Sequence, residues 1–68
     1  MTETIIGKDY SRVLVRVHSF FMTRYEIWDA HAFKTRAAAE LVNGHYIRNM
    51  TAFTCESDEK AKELFYGV

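Results

Sequence analysis

The chain has 68 residues and carries nine basic and nine acidic side chains, so its formal net charge is zero when histidine is neutral. This balance disfavours both a strongly basic nucleic-acid binder and a strongly acidic DNA mimic. Hydrophobic residues at 49% and charged residues at 26% are typical of globular proteins and argue against a disordered chain. The length predicts a single compact domain, residues 1–68, near the lower limit for independent folding, where self-association adds useful stability.

The single cysteine, Cys55, excludes an internal disulfide and a four-cysteine zinc site, and it fits a reducing compartment. No apolar run approaches the roughly 20 residues that a membrane span needs. The polar start, MTETIIGKDY, lacks the charged and then apolar layout of a signal peptide. We therefore expect a cytoplasmic protein that does not associate with membranes.

Residues 12 to 30 show the clearest pattern in the chain, after a start (residues 1–10) that predicts a frayed arm or a short edge strand. From Arg12 to His18 valines alternate with other residues, which predicts a strand with three valines on one face. A second alternating run extends from Arg24 to Asp29. With a turn at residues 19–23, the antiparallel register pairs Val17 with Tyr25, Arg16 with Glu26, Val15 with Ile27 and Leu14 with Trp28.

The turn itself lacks Gly, Asn, Asp and Pro, the residues that tight hairpin turns favour. One long bent strand is therefore the alternative. In either case Phe20, Phe21 and Met22 cannot all point to one side of an extended chain. At least one of them needs cover, from a helix of this domain or from a partner.

Two helices are predicted in the second half of the chain. Thr35 is a good N-cap for a helix over residues 36–42, which Asn43-Gly44 would end. Residues 51–55 predict a third strand, and residues 45–50 are left open as strand, loop or helix. Ser57 is the N-cap expected for the last helix, whose apolar face is formed by Ala61, Leu64, Phe65 and Val68.

These elements predict an α+β fold, in which a small antiparallel three-stranded sheet carries two helices in the order ββαβα. The helices would cover the valine face and leave the other face partly open. On that open face the predicted register places Arg12, Leu14, Arg16, His18, Arg24, Glu26 and Trp28.

An exposed Trp28 surrounded by basic side chains predicts a protein-binding surface, because Trp and Arg are enriched among the residues that dominate interface energies. The alternative is that Trp28 is buried, either because the faces are reversed or because the last helix covers it. The predicted contact residues are Leu14, Arg16, His18, Phe20, Phe21, Met22, Arg24 and Trp28.

The same open face allows a nucleic-acid interpretation, since basic side chains between aromatic ones resemble platforms that stack single strands. The chain offers no glycine-bounded loop or aromatic pair in support. His18, His31, His45 and Cys55 lack metal-site spacing, so no metal or cofactor is expected. Cys55 is better explained as a small buried hydrophobe than as a nucleophile, and no catalytic residues are predicted.

We therefore expect a non-enzymatic protein that binds a larger protein or protein complex, with a small nucleic-acid-binding regulator as the alternative and self-association as a third. In size and element content the chain resembles the compact proteins with which bacteriophages and other mobile elements block a host enzyme or defence complex. The resemblance implies an inhibitor that occludes a surface. It involves no diagnostic residues.

Overall fold

The computed structural model describes residues 1–67 and contains mostly strands. In chain order the elements are β1 (Thr2–Lys8), β2 (Arg12–His18), β3 (Thr23–Asp29), α1 (Ala30–Thr35), β4 (Ala39–Val42), β5 (His45–Arg48), β6 (Met50–Phe53) and α2 (Asp58–Tyr66). Four strands form an antiparallel sheet in the order β1-β2-β3-β6, and β4 and β5 form a separate two-stranded sheet. The predicted three-stranded ββαβα fold is therefore wrong.

Strand β1 forms one edge of the main sheet, so of the two predicted alternatives, a frayed arm or a short edge strand, the structure has the edge strand, with seven residues. It pairs with β2 in antiparallel orientation, and the register shifts between Ile5 and Gly7. Ile6 packs against the cluster that contains Leu14, while Ile5 stays 51% exposed on the other face. The irregularity also bends the edge and makes it a poorer template for pairing with another chain.

The hairpin of β2 and β3 is present, but its register differs by one residue from the predicted one. The structure pairs Val13 with Trp28, Leu14 with Ile27, Val15 with Glu26 and Arg16 with Tyr25, and the turn has four residues, 19–22, instead of five. A slip of one residue moves every side chain of a strand to the opposite face. Trp28 and Glu26 therefore lie on the valine face, and Tyr25 and Ile27 on the other face.

Both faces of the sheet are covered, so the expected open face does not exist. On the valine face, Val13, Val15, Val17, Trp28 and Ala32 form one buried cluster, against which Phe33 and Met50 pack. On the other face, Leu14, Tyr25, Ala61 and Phe65 form a second buried cluster, supported by Ile6, Ile27, Phe53 and Cys55. Helix α1 covers the first face and α2 covers the second.

Helix α1 occupies residues before Arg36, not the predicted 36–42. Asp29 is its N-cap and its carboxylate accepts a hydrogen bond from the Ala32 N–H at 3.1 Å. The helix ends at Arg36, which has a left-handed φ of 60°. The predicted cap Thr35 instead lies in the last turn, where its hydroxyl donates to main-chain carbonyls of the same helix. The burial of Ala32 beside Trp28 stabilises this earlier position.

Residues 39–48, expected to be partly helical, form a β-hairpin. Asn43 and Gly44 have φ values of 51° and 82°, and positive φ at both central residues is what a two-residue type I′ hairpin turn requires. The prediction that Asn43-Gly44 ends a helix is therefore wrong. The same two residues join β4 to β5.

The C-terminal elements agree better with the sequence pattern. Strand β6 pairs with β3 but ends at Phe53 instead of Cys55. Ser57 is confirmed as the N-cap of α2, since its hydroxyl accepts the Lys60 N–H at 3.2 Å. Of the predicted apolar face, Ala61 and Phe65 are buried, Leu64 is 65% exposed, and Val68 lies outside the described residues. No helix within residues 1–67 has the length and apolar character to cross a membrane.

Candidate protein-binding surface

Trp28, the centre of the predicted contact surface, is only 7% exposed. Its indole N–H donates to Glu26 Oε1 at 2.9 Å, and Arg24 Nε donates to Glu26 Oε2 at 3.2 Å. The three side chains share one face of β3 because they alternate along the strand. The prediction that Trp28 is exposed is wrong, and the Arg24 side chain, which is 37% exposed, is bound to the buried carboxylate.

Leu14 and Arg16 also make contacts within the domain, although the Arg16 side chain stays 37% exposed. Leu14 is fully buried in the cluster beneath α2. Arg16 Nη1 donates to Asp58 Oδ2 at 2.5 Å, and the Tyr25 hydroxyl donates to Asp58 Oδ1 at 2.8 Å. Asp58 is the first residue of α2, so these two bonds fix the start of the helix on the sheet.

This arrangement shifts two pKa values in opposite directions. Burial, with a further contribution from the Asp58 carboxylate, raises the pKa of Tyr25 from 10.0 to about 12. The hydrogen bond from Tyr25, assisted by the charge of Arg16, lowers the pKa of Asp58. The site is a structural anchor in which a neutral phenol and an ionised carboxylate stabilise each other.

The turn between β2 and β3 exposes the other predicted contacts, Phe20, Phe21 and Met22, which we call the apolar tip. The two phenylalanines are 93% and 91% exposed and Met22 is 48% exposed. The phenyl rings contact each other edge to face, with centroids 5.0 Å apart and planes at 78°. Of the predicted surface, this is the part that the structure presents to solvent as an apolar group.

The apolar tip is held by its flanking residues, although it lacks the usual turn residues. Ser19 N–H and Ser19 Oγ both donate to the Met22 carbonyl, at 2.8 and 3.0 Å. Next to it, His18 Nδ1 lies 2.8 Å from Thr23 Oγ1 across the first pair of the hairpin. A serine that bonds the main chain thus takes the place of a glycine or asparagine.

Strands β4 and β5, which we call the ribbon, form a second exposed region that the sequence analysis missed. All eight of their residues are exposed. Leu41 lies opposite Tyr46, and these side chains are 58% and 78% exposed. On the other face Ile47 is 48% exposed. An Asn-Gly pair between two apolar runs is a strong hairpin signal and would have identified the ribbon.

The apolar tip and the base of the ribbon lie at opposite ends of the main sheet. The base is fixed by two main-chain hydrogen bonds of 2.9 Å, from Asn49 N–H to the Ala38 carbonyl and from Asp29 N–H to the Asn49 carbonyl. Asp29 ends β3, whereas the apolar tip precedes its first residue, Thr23. A seven-residue strand separates the two regions by about 20 Å.

Most of the positive charge in the central part of the chain, from Arg12 to Arg48, is neutralised locally. Four of its six basic side chains form ion pairs: Arg12 with Asp9, Arg16 with Asp58, Arg24 with Glu26, and Arg36 with Glu3. Each pair has an N to O distance of 3.2 Å or less. The basic face on which the nucleic-acid interpretation depended is therefore mostly engaged in contacts within the chain.

His, Cys, Asp and Glu side chains do not gather into a group of three suited to a metal ion anywhere in the described part of the chain. Comparisons of the chain with protein-family models, with curated proteins and with solved structures found no match.

Proposed function

We propose that this protein is a non-enzymatic binding module that occludes a surface of a larger protein, with the apolar tip as its main contact. The observation that supports the proposal is the exposure of Phe20 and Phe21, both above nine tenths, on a turn between the two central strands. Adjacent, fully exposed phenylalanines are costly in water unless something covers them.

The apolar tip offers a substantial part of the energy that a specific contact needs. An aromatic side chain buries about 150–250 Å² and gains about 25 cal/mol per Å² of apolar area, so two phenylalanines together contribute several kcal/mol. A phenylalanine has only two side-chain torsions to order, and the turn is already held by Ser19. The apolar tip is therefore a pre-ordered group that fits a hydrophobic pocket on the partner.

The size analogy with inhibitors from bacteriophages and mobile elements extends this proposal to a host enzyme or defence complex as the partner. Occlusion requires shape and apolar area and no reactive group. We place the activity in the cytoplasm, because the single half-buried Cys55 suits a reducing compartment. The proposed contact does not include Trp28 and Leu14, because both side chains are buried.

We do not put forward nucleic-acid binding as a second function. Phosphate binding depends on cations that exchange their counterions for the nucleic acid. Three of the cations on which the nucleic-acid interpretation depended, Arg12, Arg16 and Arg24, already form ion pairs within the chain.

The test is a comparative capture from the cell in which the protein acts, using wild type, the double variant Phe20→Ser/Phe21→Ser, and the matched control Leu64→Ser. Leu64 is an equally apolar side chain, 65% exposed on α2 and distant from the turn in sequence. We expect wild type and Leu64→Ser to capture one common partner. The affinity of the double variant for this partner should be lower by at least about 100-fold, as expected for two hot-spot residues.

Two outcomes would contradict the proposal. If every captured protein binds the double variant as well as wild type, the apolar tip is not the contact. If sedimentation velocity shows that wild type is a dimer and the double variant is a monomer, the apolar tip contacts a second copy of the chain and not another protein.

A further inference from the structure

A groove of about 430 Å³ lies at the end of the sheet opposite to the apolar tip. Its floor includes Ile27 and Thr51, which face the side of the sheet that α2 covers elsewhere. Arg12, Arg48 and Asn49 line its rim. None of the described α2 residues, 58–66, lines the groove, although the helix ends close by, where the Phe65 carbonyl accepts a hydrogen bond from Arg12 Nη2. The groove is therefore open to a ligand.

The groove carries one uncommitted cation. Arg48 forms no ion pair and no side-chain hydrogen bond with residues 1–67. Arg12 is already bound to Asp9 and to the Phe65 carbonyl through Nε and Nη2, which leaves Nη1 on the same guanidinium. The one acid of the groove, Asp29, accepts the Ala32 N–H at the start of α1. The charge of Arg12 is offset by Asp9, so Arg48 is the side chain of the groove that favours a negatively charged ligand.

Asn49 adds an unmet donor at the same place. Its Nδ2 is buried and has no hydrogen-bond partner among the described residues. A buried donor without an acceptor destabilises the folded state, so such atoms call for an explanation. Asn49 also lines the groove, and its amide can rotate about its last torsion, which is a broad one. An acceptor oxygen beside Arg48 would remove the cost.

The groove adjoins an unprotected strand edge. Strand β6 is the outer strand of the sheet on this side, and its sequence, Met-Thr-Ala-Phe, contains no charge and no proline. The other edge, β1, is protected by its bulge and by Lys8. Unprotected edges accept an extended segment of another chain through main-chain hydrogen bonds, and side-chain pockets beside them provide specificity.

We propose that the β6 edge and this groove bind an extended segment of a partner protein that carries an Asp or Glu side chain. The backbone of the segment pairs with Met50–Phe53, and its carboxylate binds Arg48, with the Asn49 amide as a further donor. The proposal shares with the proposed function only that the ligand is a protein. It does not need the apolar tip, which lies at the other end of β3.

The test uses a display library of random nine-residue peptides, selected in parallel on wild type, Arg48→Gln, Arg48→Glu and Phe20→Ser/Phe21→Ser. Arg48 is exposed and unpaired within residues 1–67, so its substitution leaves the fold intact, which the near-ultraviolet spectrum of buried Trp28 checks. We expect wild type to enrich peptides with an acidic residue at one fixed position. Arg48→Gln should weaken them about tenfold, as expected for loss of a charge-assisted hydrogen bond.

The Arg48→Glu variant should lose these peptides, and the tip variant should retain them at wild-type affinity. Amide shifts in nuclear magnetic resonance spectra should map an enriched peptide to residues 48–53. The proposal is overturned if no acidic peptide is enriched, if enriched peptides ignore both Arg48 substitutions, or if their shifts map to β1. Failure of the tip proposal alone would leave this selection unchanged, so the two results are separable.

Discussion

At the scale of single residues, the buried carboxylate of Glu26 connects two other side chains of β3. It is 5% exposed and accepts from two donors on its own strand, the Trp28 indole and the Arg24 guanidinium. A buried charge is tolerated only when it is paired and hydrogen-bonded, and both conditions hold here. The network explains how the only tryptophan of the chain is buried with its N–H satisfied.

Replacing Glu26 with alanine should destabilise the fold by about 2–3 kcal/mol, because it leaves the buried Trp28 N–H without an acceptor and Arg24 without its counter-charge. Urea unfolding followed by Trp28 fluorescence measures the change. Glu26→Gln is the matched control and should lose clearly less, since an amide oxygen still accepts from the indole. A Glu26→Ala protein within about 0.5 kcal/mol of wild type would refute the structural role of this network.

The raised pKa of Tyr25 predicts a loss of stability in alkali. Below pH 10 the phenol is protonated in both the folded and unfolded states. Between pH 10 and about 12 the unfolded chain loses this proton and the folded chain keeps it, so unfolding is favoured by up to about 1.4 kcal/mol per pH unit. Denaturation at several pH values should show this extra decline in wild type and not in Tyr25→Phe. Parallel curves for the two proteins would show that Tyr25 has no raised pKa.

At the scale of elements, the sequence predicted strands more reliably than their register. The alternation of Arg24, Glu26 and Trp28 correctly placed these three residues on one face of β3. The length of the turn between β2 and β3 determines on which face of the sheet these residues lie. A turn of four residues instead of five places them on the valine face. The residues between Ser19 and Met22 have no strong turn preference, so the local sequence could not predict the length of this turn. Burial of Trp28 against α1 decided it.

The ribbon illustrates the opposite case, a signal that was present and misinterpreted. Asn43-Gly44 is compatible with the end of a helix and with a type I′ turn. Ala37, Ala38 and Ala39 have high helix propensity, which favoured the first interpretation. The left-handed Arg36 ends α1 before this segment begins. The helix propensity of the three alanines did not determine where the helix forms, because Asp29 caps a helix that begins earlier and whose side chains reach the core.

Substitution of glycine by alanine distinguishes the ribbon from the rest of the fold. Gly44 has a φ of 82° and no atom near an added Cβ, so Gly44→Ala adds about 1 kcal/mol of backbone strain without a clash. We expect local loss of ribbon structure, seen as faster amide exchange at residues 39–48, and unchanged global stability.

Gly67 offers the matched control for this experiment. It has a similar φ of 74°, equally free space, and ends α2. Gly67→Ala should lower the global free energy of unfolding by about 1 kcal/mol, because α2 covers one of the two cores. Equal global effects from both substitutions would mean that the ribbon is an integral part of the cooperative fold.

At the scale of the whole molecule, the domain is elongated. Its radius of gyration is 12.4 Å and its extents are 37 × 29 × 17 Å, whereas a compact chain of this length has a radius of about 11 Å. The two buried clusters lie on the two faces of one sheet, and the ribbon contributes no buried residue to either. Isolated two-stranded hairpins are marginally stable in water, so the main-chain hydrogen bonds at its base keep the ribbon ordered.

Removing the ribbon should therefore leave the domain folded. Residues 39–48 can be replaced by Asn-Gly, since Ala38 and Asn49 already approach through a 2.9 Å hydrogen bond and a two-residue turn closes such a pair. We expect the free energy of unfolding to change by less than about 1 kcal/mol, because only exposed side chains are lost. Small-angle scattering should show a smaller radius, by about 1–2 Å, as the shape approaches a compact one. A shortened chain that fails to fold, or that retains the original radius, would show that the ribbon packs on the sheet in solution.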